Sequence, residues 1–164
     1  MRALNQRDVC EEQVVGEPMK GLARVHVRSA GLTDAPALAD LVTQLGYPAR
    51  PEQVVARLGN LLPAEQGLFV AEVNGAVVGM VHVSRLATLV ADDTADIAAF
   101  VVDNERRSQG IGRALLQAAE EWAKQRGCCT LQVRTNIVRQ RAHQFYFRNG
   151  FRQVKTSLTL VKQL

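Results

Sequence analysis

A junction built on two glycines constrains this chain more than any other stretch. Arg107-Ser108-Gln109-Gly110-Ile111-Gly112 stands between an apolar run ending at Val102 and the amphipathic segment Gly110 to Arg126. In that segment Ile111, Ala114, Leu115, Ala118, Ala119 and Trp122 recur at helical spacing and predict one buried face. Gly127 occupies the place where a helix commonly turns left-handed at its end. Strand, glycine loop and helix therefore follow one another directly. Glycines allow close backbone approach without a Cβ clash. The first N–H groups of the helix have no intrahelical acceptor. With the positive end of the helix dipole they form an anion site. Arg106, Arg107 and Arg113 add positive charge, so a phosphate or pyrophosphate is the natural guest.

Two common phosphate loops are excluded by the residues themselves. The dinucleotide fingerprint requires Gly or Ala three residues after its second glycine, and Leu115 is there instead. The nucleotide-triphosphate loop ends Gly-Lys-Ser/Thr, whereas Gly112 is followed by Arg113 and Ala114. What remains is Arg/Gln-x-x-Gly-x-Gly/Ala, which arises by chance about 0.1–0.2 times in a chain this long. Its context must carry the argument.

That context is regular from Arg24 onward. Val25 and Val27 alternate with polar neighbours as a half-buried strand. Thr33 and Asp34 offer an N-cap for a helix carrying Leu38, Leu41, Val42 and Leu45, closed by Gly46. Pro51 opens a second helix, which Pro63 stops. Leu68 to Val73 reads as a strand, and Asn74-Gly75 as the type I′ turn to a partner strand, Ala76 to Ser84. A polar stretch around Asp92 and Asp93 precedes a strand from Asp96 to Val102. After the long helix come a strand at Cys129 to Val133, a helix from Val138 to Arg148, and a last strand region from Phe151 to Val161. The order β-α-α-β-β-β-α-β-α-β predicts an α/β (α+β) domain with a mixed sheet. Residues 1–22 are polar and aperiodic and read as an N-terminal extension outside the domain, which runs from 23 to 164.

Composition narrows the function classes. The 164 residues suffice for one domain with its own core. Lysine and arginine total 20 against 16 acidic residues, a net charge of +4. With aromatics at only 5% and no basic block, nucleic acid is not the expected partner. No apolar run approaches the ~20 residues that span a bilayer. Cys10, Cys128 and Cys129 form no disulfide framework and no CxxC pair, so a reducing cytoplasm is expected and a metal site is not.

The second motif is Ala142-His143-Gln144-Phe145-Tyr146-Phe147-Arg148-Asn149-Gly150-Phe151, with the kernel Ala-x-x-Phe-Tyr-x-x-x-Gly-Phe. Together with the glycine loop, it resembles the two diagnostic motifs of the GNAT superfamily of acyl-CoA N-acyltransferases. The resemblance covers about residues 24 to 162. The block from Thr135 to Leu164 is similar to that of the aminoalkylphosphonate N-acetyltransferase subgroup.

The resemblance implies a mostly antiparallel sheet, with helices on both faces, splayed between the strands ending near Val102 and at Leu131. Acetyl-CoA would enter that opening. By motif position, Arg107, Ser108, Gln109, Gly110, Ile111, Gly112 and Arg113 would hold its pyrophosphate. Free backbone groups of Phe100, Val101 and Val102 would hold its pantetheine arm, as a splayed strand needs hydrogen-bond partners. Asn136 and His143 are further candidates along the arm, though Asn136 could equally cap the following helix.

The implied reaction is direct attack of a primary amine on the thioester. Tyr146, with an ordinary pKa near 10, is protonated at neutral pH and is the candidate general acid. Asp96, at the start of the central strand, is the candidate base, acting through water; His82, or water alone, is the alternative. A small-molecule amine is the expected acceptor, with Arg50, Arg57 and Arg85 available to an anionic group on it. The Tyr47 loop and a loop from Leu86 to Thr94 would shape specificity. A protein or aminoacyl-tRNA acceptor, or a non-catalytic acyl-CoA-binding module, are the alternatives. The C-terminal strand and the sheet edge need cover, which a homodimer would supply.

Overall fold

The computed structural model describes residues 24–61 and 63–164. The predicted N-terminal extension, Cys10 and Leu62 lie outside the described residues. One sheet of five strands organises the fold: β1 (His26–Ser29), β2 (Gln66–Val73), β3 (Ala76–Thr88), β4 (Ala91–Val102) and β5 (Thr130–Val133). They lie in sequence order across the sheet. The first four run antiparallel, and β5 runs parallel to β4. The mixed sheet expected from the element order is thus present. Asn74 and Gly75 both have positive φ, 52° and 79°, the geometry of the predicted type I′ turn.

Four helices cover the two faces: α1 (Ala35–Gln44), α2 (Pro51–Gly59), α3 (Ile111–Gln125) and α4 (Gln140–Arg148). On one face α1 and α2 bury Leu38, Leu41 and Val54 against Val70, Met80 and Val101. On the other, α3 buries Ile111, Leu115, Leu116 and Trp122 against Val81, Val83, Ala95 and Ile97. At roughly 1.5–3 kcal/mol per fully buried large aliphatic side chain, these two layers are the main source of stability.

Four expectations are corrected. The polar stretch around Asp92 and Asp93 is strand, not loop, so Leu86 to Thr94 forms the tip of a long β3–β4 hairpin. Cross-strand partners explain it: Arg85 pairs with Asp93 across the hairpin, and the Thr94 and Thr130 hydroxyls meet at 2.9 Å. Helix α2 ends at Gly59, before Pro63. Asp34 takes the N-cap position of α1 as expected, but its carboxylate makes no bond into that helix; it is buried, accepts from the Gly31 N–H of the preceding 3-10 turn, and is bound by Arg28. The expected last strand, Phe151 to Val161, does not form. Phe151 packs into the core, while Val154, Leu158, Leu160 and Val161 are exposed in irregular chain. Alternating apolar residues suit a strand but do not provide the neighbour it must pair with.

The arrangement leaves a gap. Strand β5 pairs with β4 only from Thr94 to Ile97. Beyond that, Ala99 to Val102 pair with β3 alone, and no other strand lines their second edge among the described residues. Ala98 is an extra residue in β4, since His82 faces Ala99 while the next residue, Val83, faces Ile97. The bulge moves Ala99 and Val101 to the α1 face, whereas Ala95 and Ile97 face α3.

Candidate active site

The glycine loop lies beside the open half of β4. Its backbone is held in the left-handed region at two points, Ser108 at φ 65° and Gly110 at φ 79°. A Cβ at Gly110 would touch nothing within 4 Å, so the glycine answers a backbone requirement and not a lack of space. The first intrahelical bond runs from the Ala114 N–H to the Gly110 carbonyl at 3.1 Å. The amides of Ile111, Gly112 and Arg113 precede it and remain available to an anion. A left-handed residue followed by helical ones also makes a concave row of N–H groups suited to phosphate oxygens.

Cations surround this row. The Arg107 Nε donates to the Val102 carbonyl at 3.4 Å, which folds its guanidinium back over the loop. Gln109 is exposed beside it. Arg113 is tied to the Asn149 Oδ1 at 2.7 Å, so its charge is shared with the end of α4. Arg141 donates to the Ser108 Oγ at 3.2 Å. Sequence reasoning missed Arg141. Only its place on the second-motif helix could have signalled it, and the contact spans 33 positions.

The two motifs meet physically. A Cβ on Gly112 would stand 3.2 Å from Phe145 Cε2, so this glycine makes room for the α4 aromatic. Phe145 lies 5.5 Å from Phe100 of β4, between ring centroids. Tyr146 stands edge-on to Phe100 at 6.2 Å and to Phe151 at 5.2 Å. This cluster sets Tyr146 at the open half of β4, on the side that packs against α3. Burial pushes the Tyr146 hydroxyl up to about 12, with Arg139 pulling slightly the other way. No protein group among the described residues hydrogen-bonds that hydroxyl, and it is not a sealed, unpartnered atom. It is free to donate.

Arg139 itself donates to the Leu45 carbonyl at 2.8 Å and ties the start of α4 to the end of α1 across the gap. Asn136 closes a turn ahead of α4 and does not cap it: its Oδ1 accepts from the Val138 N–H at 3.1 Å, whereas the N-cap position belongs to Arg139. Helix α4 begins at Gln140, two residues later than periodicity predicts. The His143 Nε2 lies 3.0 Å from the Asn136 carbonyl oxygen. Both residues thus stabilise the turn entering α4.

On the α1 side of the sheet a polar patch interrupts the apolar face. Asp96 is buried to 3%, and both of its oxygens are occupied. Oδ1 accepts from the Gln132 Nε2 at 3.0 Å, and Oδ2 from the Arg134 guanidinium at 2.8 Å. Ser84 lies opposite Asp96 in register. Neighbouring His82 shares its Nε2 with the Gln66 Oε1 at 2.9 Å, and burial lowers its pKa. Asp96 and Tyr146 therefore reach the edge of β4 from opposite faces. Arg85, a candidate for anion recognition, is already paired with Asp93 and Glu65 on the other face. Arg50 and Arg57 are exposed on and before α2. Tyr47 is exposed after α1. Cys128 and Cys129 are free thiols, and burial raises the pKa of Cys128, the opposite of an activated nucleophile. Among the described residues no cluster of His, Cys, Asp or Glu could hold a metal, and no helix is long and apolar enough to cross a membrane.

Comparison with known proteins agrees with this geometry. The profile of the acetyltransferase (GNAT) family matches residues 36–151. An uncharacterised N-acetyltransferase of Methanocaldococcus jannaschii is 36% identical over 105 residues, 61% of this chain and 46% of that protein, so the match takes in about half its length. The aminoalkylphosphonate N-acetyltransferase of Salmonella typhimurium is 38% identical over 114 residues, 69% of this chain and 72% of that protein. An aminoglycoside N-acetyltransferase solved in complex with CoA superposes with a TM-score of 0.78 at 17% identity, over 90% of this chain and all of its own. At that identity the likeness concerns the fold.

Proposed function

Because the chain belongs to the GNAT family of acetyltransferases, whose acyl donor is acetyl-CoA, we propose that it acetylates the primary amine of a small molecule. One observation carries this reading: the glycine loop, through Gly112 and Phe145, and the tyrosine helix, through Tyr146 and Phe100, converge on the unpaired half of β4. The pyrophosphate then rests on the amides from Ser108 to Arg113. The pantetheine arm runs along Phe100, Val101 and Val102 as an added strand, and the thioester stands near the Ala98 bulge.

An aliphatic ammonium has a pKa near 10.4, so about one molecule in 10³ is neutral at pH 7. Asp96 draws the ammonium in and receives its proton through water. The neutral nitrogen bonds to the thioester carbon, and the C–S bond breaks. The departing sulfur takes the Tyr146 proton, the second proton lost by nitrogen leaves with solvent, and the proton held by Asp96 returns through water to Tyr146. The products are an amide, free CoA and one net proton. Tyr146 suits the acid role because burial keeps it protonated across the working range.

Two further assignments belong to this reading. A second copy of the chain covers the open edge of β5, supported by the alternation of Val154, Leu158 and Leu160 in the exposed C-terminal segment. A reducing cytoplasm is the working compartment, supported by the free thiols of Cys128 and Cys129.

The test is thiol release from acetyl-CoA with a panel of polyamines, amino sugars, amino acids, aminoalkylphosphonates and a basic peptide. Release with a small amine, greatly reduced in Tyr146→Phe, is the expected result. Release only with the peptide would refute a small-molecule acceptor.

A further inference from the structure

The polar patch on the α1 face holds an asymmetric ion pair. The Asp96 side chain is 5% exposed, and that of its partner Arg134 is 75% exposed. A guanidinium presents five N–H donors. Arg134 uses one of its two terminal nitrogens on Asp96, and no other bond to its side chain occurs among the described residues. Its remaining donors face solvent where β5 has just ended and the gap with β4 opens. An arginine whose sole task was to neutralise a buried carboxylate would be expected to engage it through both arms of its fork and be covered with it. The Gln132 amide already meets the other Asp96 oxygen through its Nε2 and keeps its own oxygen free to accept.

We propose that Asp96 and Arg134 together read a zwitterionic acceptor: Asp96, with the Gln132 oxygen, binds the ammonium, and Arg134 binds an anionic group on the same molecule. The assignment rests on the small-amine acetyltransferase reading above and names the class of amine. Geometry limits the class further. Charge-assisted hydrogen bonds are about 2.8 Å long, and the Arg134–Asp96 contact is itself 2.8 Å. The nitrogen and the anionic oxygen of the acceptor thus lie within about 8 Å of each other. A chain of at most about five atoms joins them. Carboxylates and phosphonates both satisfy a planar fork. Arg134, not Arg85, is the arginine that faces the acceptor.

Two series of acceptors at saturating acetyl-CoA test the proposal by thiol release. One carries an anion (2-aminoethylphosphonate, 3-aminopropylphosphonate, β-alanine), and the other lacks it (ethanolamine, propylamine). The expected result is a preference of at least tenfold in kcat/KM for one anion-bearing arm over its neutral counterparts. The better of phosphonate and carboxylate identifies the anion. In Arg134→Gln that preference collapses to below threefold, chiefly through KM, and Arg134→Lys restores part of it. Methylphosphonate or acetate, matching the preferred arm, competes with the acceptor in the wild type and not in Arg134→Gln. Equal rates for both series would overturn the zwitterion assignment while leaving the small-amine reading intact. A preference that survives in Arg134→Gln would overturn the role of Arg134. Release from none of these amines, with acetyl-CoA bound and release from another small amine of the wider panel, would overturn the zwitterion assignment and leave the small-amine reading standing. Should Arg134→Gln fail to fold, the Arg134→Lys preference and the methylphosphonate or acetate competition in the wild type decide the matter.

Discussion

Gly112 of α3 and Phe145 of α4 are fitted to one another: a Cβ on the glycine would stand 3.2 Å from the Phe145 ring. The anion-binding turn and the tyrosine helix are therefore one mechanical unit. A side chain at Gly112 displaces Phe145 and, through it, Tyr146, whose ring centroid lies 5.3 Å away.

The two glycines of the loop should fail differently. Gly110→Ala meets no neighbour but forces a residue with a Cβ into φ 79°, at a cost of about 1–2 kcal/mol. Gly112→Val is sterically blocked and should raise the KM for acetyl-CoA and lower kcat together. Calorimetric titration with CoA, beside a thermal midpoint for each variant, separates the two. Undiminished CoA affinity in a folded Gly110→Val/Gly112→Val double variant would refute the loop assignment.

Tyr146→Phe should reduce kcat by roughly 10²–10⁴ and leave CoA affinity unchanged, because the aromatic packing with Phe100 and Phe151 survives. Circular dichroism and CoA titration check the second half.

The pH profile follows from the same residue. A general acid works while protonated, and burial raises Tyr146 to about 12. Loss of activity from its ionisation therefore lies above the pH 10 of an ordinary tyrosine. A kcat profile that falls between pH 8 and 10, in a protein still folded, and no longer falls there in Tyr146→Phe would contradict this environment.

Asp34 controls acid stability. Its carboxyl is held below the usual range, first by the hydrogen bonds from Arg28 and then by the Gly31 N–H, against an opposing effect of burial. A depressed carboxylate pKa stabilises the fold above the unfolded value, near 3.9, and this contribution disappears as pH falls through the folded value. Asp34→Asn should cost about 1–3 kcal/mol at pH 7. The low end is expected because Arg28 is a third exposed. Urea unfolding at pH 7 and pH 3 should show the gap between variant and wild type narrowing at low pH.

The segment beyond Phe151 should matter for assembly more than for folding. Val154, Leu158 and Leu160 are exposed. Deleting residues 153–164 should convert a dimer to a monomer with little change in thermal midpoint. Light scattering on both forms decides it, and an unchanged mass would remove this segment from the interface.

Much of this was legible in the chain because it depends on neighbours a few positions apart. The Asn74-Gly75 turn, the amphipathic α3 and the left-handed Gly127 that ends it are local demands, met by the residues that make them. Where the reading failed, the deciding partner was remote. Asp93 became strand, its carboxylate held by the Arg85 side chain reaching across the hairpin. Phe151 to Val161 had the alternation of a strand and no neighbour.

Sequence alone determined the order of elements as far as the last helix, the glycine loop and the Phe145-Tyr146 helix, since backbone conformation and helical periodicity are short-range properties. Only the tertiary structure decided which charges meet. Asp96 was a strand-end carboxylate until β5 brought Gln132 and Arg134, 36 and 38 positions away, to its oxygens. The one-residue bulge at Ala98 returned Ala99 and Val101 to the face Asp96 occupies and turned Phe100 toward Tyr146. Strand neighbours and register set the partners of a charged group, and neither is written in the residues beside it.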